Sequence, residues 1–339
     1  MFPARLAPMS RTSVRQVAQP CGMVAPPGRR VFLRSLLGAV PLLAAGAAVD
    51  LSTPHIAAAQ TYDPLGVMPL GPGARLVSGA GGNVVMVSGG DGVLLVNGGA
   101  AEHSVALLGA IKQGTGGRPV EILFNTDWHP GHSGSNAALA ATGTRIIAHE
   151  HTKQYLGAEL FVDWENRTYK PLPAKALPTQ TFQAAGSMIF GGVRVEYGPL
   201  GQAHTDGDIY VFLPDANVLV VGDVLSVGKY PIADYTTGGW LGGLATATKT
   251  LVDLANDDTR VVPAHGPVQT RADLRAQHEM LVAMRDRLSK MMRQGLGAQE
   301  MRAAGVTKEF DAKWGDPDLF LSTSYRGLWL HVRELGGIV

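Results

Sequence analysis

The chain has 339 residues, 45% of them hydrophobic, with 29 basic and 28 acidic side chains and a formal net charge of +1. That length and apolar content are sufficient for one large α/β domain or two smaller ones with a full core. Cys21, the single cysteine of the sequence, lies near the N-terminus, so disulfides, thiolate ligands and thiol nucleophiles are excluded from the rest of the chain.

Residues 1–59 have the composition of a targeting segment. The first 49 residues contain six arginines and no Asp or Glu, and they end in an apolar run at 36–49. Arg29 and Arg30 in GRRVFLR (28–34), with small residues at 57–59, predict a twin-arginine signal peptide that engages the Tat translocase and is cleaved on export. A membrane anchor is the alternative, but the apolar run is shorter than the roughly 20 residues that span a bilayer and contains Pro41.

The charge of the exported chain argues against large anionic partners. A leader that holds six arginines and Asp50 leaves 23 basic and 27 acidic residues, a net charge of about −4. Nucleic acids and anionic membranes are bound through clustered Lys and Arg. We therefore expect a small-molecule substrate, no nucleic acid and no membrane contact after cleavage, in the periplasm, while the oligomeric state stays open.

After a linker at 60–70, β-rich runs and helical periodicities alternate over a domain at 71–269. Strands are predicted at 74–78, 83–88, 92–97, 120–124, 145–148, 188–197, 209–213 and 218–221, and helices at 100–112, 137–141 and 149–156. The order of strands, helix and strands occurs twice, which predicts an α/β fold of the four-layer αββα sandwich type. Residues 270–339 are predicted to form a C-terminal helical extension, with an amphipathic helix at 270–292 and a peripheral remainder, of which 325–332 close the core or contact a partner.

The segment NTDWHPGHSGSN at 125–136 places two histidines and a carboxylate on a turn between a predicted strand and a predicted helix. Such a turn lies at the carboxyl end of a strand, where α/β folds bind ligands. Gly131 and Gly134 allow the backbone to bend and direct several side chains to one point, which suits a metal ion. Three later pieces carry further ligand types: AHTDGD at 203–208, VGD at 221–223 and VPAHGP at 262–267.

The 125–136 segment resembles the signature loop of the metallo-β-lactamase superfamily, His-x-His-x-Asp-His, and the three later pieces follow in the expected order. His129 and His132 match the loop, whereas Asp127 replaces the first histidine and Gly131 replaces the aspartate. The resemblance implies a first metal site of Asp127, His129 and His204, a second of His132 and His265, and a bridging Asp223. It also makes His204 and Asp223 the predicted catalytic residues.

Two imidazoles and one carboxylate for each ion suit zinc with an open position for water. The same ligands resemble the facial triad of non-haem iron proteins, so iron stays open, as does the choice between one ion and two. By the resemblance, a metal-bound water would attack the scissile carbonyl. Loss of the carboxylate at Gly131 should then lower the rate.

Four other polar residues have a role at the site as one of their alternatives. His149 and His151 are expected to start the helix at 149–156, with direct metal ligation as the alternative. Asp208 is expected to order the adjacent turn. Asp206 has a catalytic role as its alternative to a structural one.

Three functions fit this pattern. The first is a periplasmic metal-dependent hydrolase that acts on an ester, lactone, amide or similar bond of a small molecule. The second is a non-catalytic binding protein on a degenerate fold, and the third is a mononuclear iron oxidoreductase of the same fold. Metal content separates them: zinc, little metal, or one iron. Trp164 and Tyr169, in a predicted loop at 161–178, are candidate substrate contacts, with plain packing as the alternative.

Overall fold

The computed structural model of the chain describes residues 65–90 and 92–335. The strands are β1 (Gly66–Gly71), β2 (Ala74–Ser78), β3 (Val84–Gly89), β4 (Gly92–Val96), β5 (Val120–Phe124), β6 (Arg145–His149), β7 (Leu160–Val162), β8 (Arg167–Tyr169), β9 (Gln180–Phe182), β10 (Gly186–Phe190), β11 (Val193–Pro199), β12 (Ile209–Leu213), β13 (Val218–Gly222) and β14 (Arg260–Pro263). The α-helices are α1 (Ser104–Thr115), α2 (Pro130–Ser133), α3 (Asn136–Ala140), α4 (Glu150–Leu156), α5 (Leu241–Leu254), α6 (Arg271–Arg293), α7 (Ala298–Ala303), α8 (Asp311–Trp314) and α9 (Asp318–Leu330). The predicted export signal lies outside the described residues.

Two mixed sheets form the centre of the fold. The first has the strand order β1-β2-β3-β4-β5-β6-β9 and the second the order β10-β11-β12-β13-β14. Pairing is antiparallel along β1 to β4 and along β10 to β13, but β4, β5, β6 and β9 pair in parallel, as do β13 and β14. Parallel neighbours require crossover connections, which α1, the α2–α3 segment and α5 supply.

The buried apolar side chains are arranged in three layers. Inward-facing residues of both sheets, such as Phe124 and Val211, form the central layer. On one outer face, Leu107 of α1 and Leu139 of α3 pack on the first sheet. On the other outer face, a larger cluster joins α5, α6 and α9 to the second sheet. The predicted four-layer αββα sandwich is therefore confirmed.

The C-terminal helices belong to this core. Thr270 and Asp273 form a capping box at the start of α6, with the Thr270 N–H donating to the Asp273 carboxylate at 3.0 Å. Met284 of α6 and Phe320 and Leu328 of α9 are buried in the outer cluster. The helical prediction for this region is confirmed, but the prediction of a peripheral remainder is wrong, because α9 covers part of that outer layer.

Three segments differ from their predictions. Residues 188–197 are not one strand: β10 and β11 form a hairpin that turns at Gly191 and Gly192, whose φ angles of 52° and 88° are left-handed. Such a two-glycine turn matches the twist of a hairpin. The predicted loop at 161–178 contains the β7–β8 hairpin, which packs with Trp128 and Leu156 in a satellite apolar cluster. The predicted linker at 60–70 overlaps β1, which pairs with β2.

The predicted ligands come together at one edge of the two sheets. The 125–136 segment follows β5, Asp223 follows β13, and His265 follows β14, while His204 lies just before β12. Because β13 and β14 run in parallel and β12 runs against β13, the ends that carry these residues meet. Within the described ranges, none of the helices has the length and apolar character needed to cross a bilayer.

Candidate metal centre

Internal hydrogen bonds hold the 125–136 segment in shape. The Asn125 side chain donates to the His132 carbonyl at 2.9 Å and exchanges bonds with the Asn136 amide at 3.0 and 2.8 Å. Gly131 lies within the short helix α2, so it does not supply the bend that was predicted for it. Gly134 is required for a different reason, since a Cβ there would lie 2.3 Å from the Ala101 nitrogen.

Five of the six predicted ligands lie in two overlapping groups. Asp127, His132 and Asp223 form one group, and His129, His204 and Asp223 form the other, with ligand atoms within 4.8 Å of one another in each. Asp223 belongs to both groups, because its Oδ2 lies 2.8 Å from His132 Nε2 and 3.9 Å from His204 Nε2. The expected grouping of Asp127 with His129 and His204 differs from this arrangement, in which Asp127 Oδ2 lies 3.5 Å from His132 Nε2.

Each of the three imidazoles is oriented by a contact at its Nδ1 atom. Such contacts select the ring orientation that directs Nε2 towards a metal. The Nδ1 partners are Thr126 Oγ1 for His132 at 3.0 Å, the Ile232 carbonyl for His204 at 2.8 Å, and Asp127 Oδ1 for His129 at 3.1 Å. These partners are residues that the sequence motifs did not identify, except for Asp127.

Three buried ligand atoms in the cluster have no hydrogen-bond partner among residues 65–90 and 92–335: Asp127 Oδ2, His129 Nε2 and His204 Nε2. A buried polar atom without a partner costs about 1–3 kcal/mol, and folded proteins contain few of them. All three atoms belong to residues of the two groups that share Asp223. Nitrogen and carboxylate oxygen donors in groups of three are a ligand set that zinc accepts, so the residues fit a divalent cation.

The charges of the cluster shift several pKa values. Burial disfavours the ionised Asp223 carboxyl, but the hydrogen bond and charge of His132 and the charge of His204 outweigh burial and hold the Asp223 pKa well below its usual value. Burial likewise opposes protonation of His129, but its bond to Asp127 and the surrounding carboxylates raise the His129 pKa to about 9. The His132 pKa is also raised, against burial, by the charges of Asp127 and Asp223. Protons and a cation therefore compete for these nitrogens.

Asp234 is a buried carboxylate beside the cluster, and it lies outside the motifs that supply the candidate ligands. Its Oδ2 lies 3.9 Å from His129 Nε2 and accepts a bond from Thr237 Oγ1 at 2.5 Å. Its Oδ1 accepts a bond from Trp164 Nε1 at 2.8 Å, and its backbone N–H donates to the His204 carbonyl at 2.8 Å. Asp234 therefore links the loop of His204 to the β7–β8 region; its burial among polar loop residues left no sequence signal.

The aromatic residues around the 125–136 segment pack against one another. Trp128 stacks on His129 with ring centroids 4.0 Å apart, and Tyr169 meets Trp128 edge to face at 4.9 Å. Trp164 donates a hydrogen bond to Asp234 on the same side of the candidate site. For Trp164 and Tyr169 the structure therefore shows packing roles; substrate contact stays a prediction.

His265 lies apart from both ligand groups. Its side chain is exposed and lines a cavity of about 680 Å³ with residues of the 78–83 loop. A Cβ added to Gly131 would lie 3.9 Å from His265 Nε2, so the imidazole stands next to the bare Gly131 backbone. Burial and the charges of His132 and Lys229 lower the His265 pKa, although Asp223 opposes them.

The four other polar residues have structural partners. His149 caps α4, accepting from the His151 N–H at 3.3 Å, as expected for a helix start. Asp208 orders its turn by accepting from the Thr205 N–H and hydroxyl at 2.9 and 2.8 Å. Asp206 pairs with His151, with Oδ2 3.1 Å from Nδ1. Neither ligand group contains any of these residues.

The sequence model of the metallo-beta-lactamase superfamily matches residues 77–265. Among solved structures, a metallo-beta-lactamase from Pontibacter korlensis superposes with a TM-score of 0.52 and 22% identity, covering 64% of this chain and 98% of that one. The DIM-1 metallo-beta-lactamase superposes with a TM-score of 0.52 and 15% identity, covering 65% of this chain and 97% of that one.

A larger relative matches more of the chain. The inverting sec-alkylsulfatase Pisa1 from Pseudomonas sp. superposes with a TM-score of 0.61 and 17% identity over 77% of this chain. The match covers 50% of the sulfatase chain. At these identities the solved structures establish the shared fold.

Proposed function

The chain belongs to the metallo-beta-lactamase superfamily, and from that membership and the geometry of its ligand groups we propose that it is a metal-dependent hydrolase. Its substrate would be a small molecule with an ester, lactone, amide or similar bond. The solved relatives include both lactamases and a sulfatase, so the fold by itself supports hydrolysis as a reaction class and leaves the bond type open.

The observation that carries this proposal is the set of three buried ligand atoms without partners, on Asp127, His129 and His204. A protein that only used this fold as a scaffold would gain stability by removing them, because each costs free energy in the folded state. Their retention, with Nδ1 of each ring already bonded, supports a bound cation. The ligand types favour zinc, one ion or two.

The residues divide the work of such a site. His129, His204 and Asp223 would hold one ion, and Asp127, His132 and Asp223 another. When bound, the metal would polarise the scissile bond and acidify a water. Asp223 would keep its negative charge at neutral pH. Burial opposes that charge, but the hydrogen bond to His132 and the charge of His132 hold the Asp223 pKa well below its usual value. Asp127 would supply the negative charge that is missing because Gly131 replaces the aspartate of the family motif.

Metal content and hydrolysis test the proposal together. Protein purified from its native compartment should contain zinc, and a panel of neutral esters, lactones, β-lactams and alkyl sulfates should yield at least one substrate. His204→Ala should lower both metal content and turnover, whereas His278→Ala, which removes an imidazole from α6, should lower neither. Little metal in the purified protein would favour the binding-protein hypothesis, and one iron per chain would favour the oxidoreductase.

We also propose that the protein works in the periplasm after Tat export. The supporting features are Arg29 and Arg30 before an apolar run and the small residues at 57–59. Conservative replacement of both arginines by lysine should leave the precursor in the cytoplasm, as seen by cell fractionation. Normal periplasmic yield of that variant would contradict this route.

A further inference from the structure

We infer that His265 is a substrate-binding residue of the 680 Å³ cavity rather than a metal ligand, and that this cavity takes an uncharged, largely apolar part of the substrate. The inference rests on the proposed hydrolase function. It differs from the ligand assignment implied by the family resemblance, which gave His265 to the second metal site.

The position of His265 separates it from the ligands. Neither of the two groups with converging ligand atoms includes His265. The carboxylate that would join His265 to those groups is missing, because Gly131 has no side chain and its Cβ position lies 3.8 Å from His265 Cε1. The His265 imidazole therefore lies beside a residue that has no side chain.

Hydrogen bonds hold the His265 loop against the cavity wall. Asn83 makes three of them: its N–H donates to the Ala264 carbonyl at 2.7 Å, and its side-chain amide donates to the carbonyls of Pro263 and Gly266 at 2.9 Å each. The Ala264 N–H donates to the Gly222 carbonyl at 2.9 Å. Both residues that flank His265 are thus bonded, which fixes its backbone where the imidazole lines the cavity.

The chemistry of the cavity indicates what it would bind. Among the described residues that line the cavity, which include Met68, Leu76 and Val268, there is no Asp, Glu, Lys or Arg. The Asn83 side-chain amide is already committed to the neighbouring carbonyls. The His265 imidazole is therefore the polar group best placed to hydrogen-bond a substrate there, beside a surface suited to apolar groups. A strongly charged substituent would find no oppositely charged side chain among the described lining residues.

The test compares metal binding and substrate binding in the same variants. Zinc stoichiometry and affinity are measured with Zn²⁺ alone, by elemental analysis and by competition with a chromophoric chelator. Turnover is measured with p-nitrophenyl butyrate, a neutral ester. The variants are His265→Ala, His265→Gln and His204→Ala, with His278→Ala as a control for loss of an imidazole, and thermal melting confirms that each is folded.

We expect His265→Ala to keep the zinc stoichiometry and to change the zinc Kd by less than about twofold. Its KM should rise about 3- to 10-fold with little change in kcat, the effect of one lost uncharged hydrogen bond. His265→Gln should recover part of that KM, since an amide still bonds the substrate. Loss of zinc from both His265 variants would overturn the inference. Full zinc retention by His204→Ala would instead count against the proposed function and leave the two failures distinguishable.

Discussion

Restoring a carboxylate at position 131 should convert His265 from a cavity residue into a metal ligand. Gly131→Asp places its Cβ 3.8 and 3.9 Å from His265 Cε1 and Nε2, so we expect the new carboxylate to lie within reach of the His265 imidazole. Gly131 lies in α2 and does not have a left-handed φ. The backbone therefore accepts a side chain there without conformational strain.

Gly131→Asp should change the free energy of unfolding in two opposing ways, through a tight contact and through zinc binding. The new Cβ lies 3.0 Å from the Gly81 carbonyl oxygen, a tight contact with a rigid neighbour, for which overpacking costs about 1–3 kcal/mol. In zinc-stripped protein the added charge also repels Asp223 and Asp127. At about 2–4 °C per kcal/mol for a domain of this size, the melting temperature should fall by several degrees. With zinc, each tenfold gain in affinity returns about 1.4 kcal/mol.

The assay is thermal melting with and without zinc, together with the number of zinc ions bound per chain. Gly131→Ala is the matched control, because it makes the same contact with Gly81 but adds no ligand. Both variants should melt below wild type when stripped of metal. Zinc should then stabilise Gly131→Asp by about 3–6 °C more than Gly131→Ala for each tenfold gain in affinity.

Two results would refute this reasoning. If zinc raises the melting temperatures of Gly131→Asp and Gly131→Ala equally, the new carboxylate does not reach a metal. The expectation that it would make His265 a metal ligand would then be wrong. If stripped Gly131→Asp melts at the wild-type temperature, the contact with the Gly81 carbonyl is not restrictive. A His265→Ala change added to Gly131→Asp should remove most of the additional zinc response.

Further predictions concern the core, the pH response and a helix cap. Phe124→Ala should lower the free energy of unfolding by about 3–5 kcal/mol in urea titration, because Phe124 is fully buried between the sheets; Phe161→Ala, at a side chain that is 53% exposed, should cost under about 1 kcal/mol. Zinc affinity should increase as the pH rises from 6 towards 9, because the His129 pKa is raised to about 9 and its proton must leave before the metal binds; a pH-independent Kd would contradict the histidine ligands. Thr270→Ala should remove the capping box of α6 and cost about 1 kcal/mol, and an unchanged urea midpoint would show that the cap contributes nothing.

Local pattern was sufficient for much of the fold. The strands Ala74–Ser78, Val120–Phe124 and Ile209–Leu213 have the predicted bounds, because short runs rich in β-branched, aromatic and other apolar residues between turn residues are typical of strands. The sandwich followed from the order of these elements. At the β7–β8 hairpin each strand has three residues, too few for alternation to show. At 188–197 the run of β-rich residues was interpreted as one strand, although Gly191 and Gly192 turn the chain there.

Most of the candidate ligands could also be identified in the sequence, since an Asp-x-His-x-x-His run after a buried strand places several metal-ligand types on one turn. Their grouping was not visible. Asp223 meets His132 and His204 because β13 and β5 belong to different sheets whose ends are brought together by packing of the central apolar layer.

The same packing decided which residues surround the ligands. Asp234, the Ile232 carbonyl and Asn83 act through contacts between segments far apart in sequence, and no spacing rule connects them. It also decided that His265 faces the cavity while Asp127 turns towards His132. Sequence determined which ligand types were available to the site; tertiary structure determined which of them share a point, because distances of 3 to 4 Å depend on how the two sheets pack.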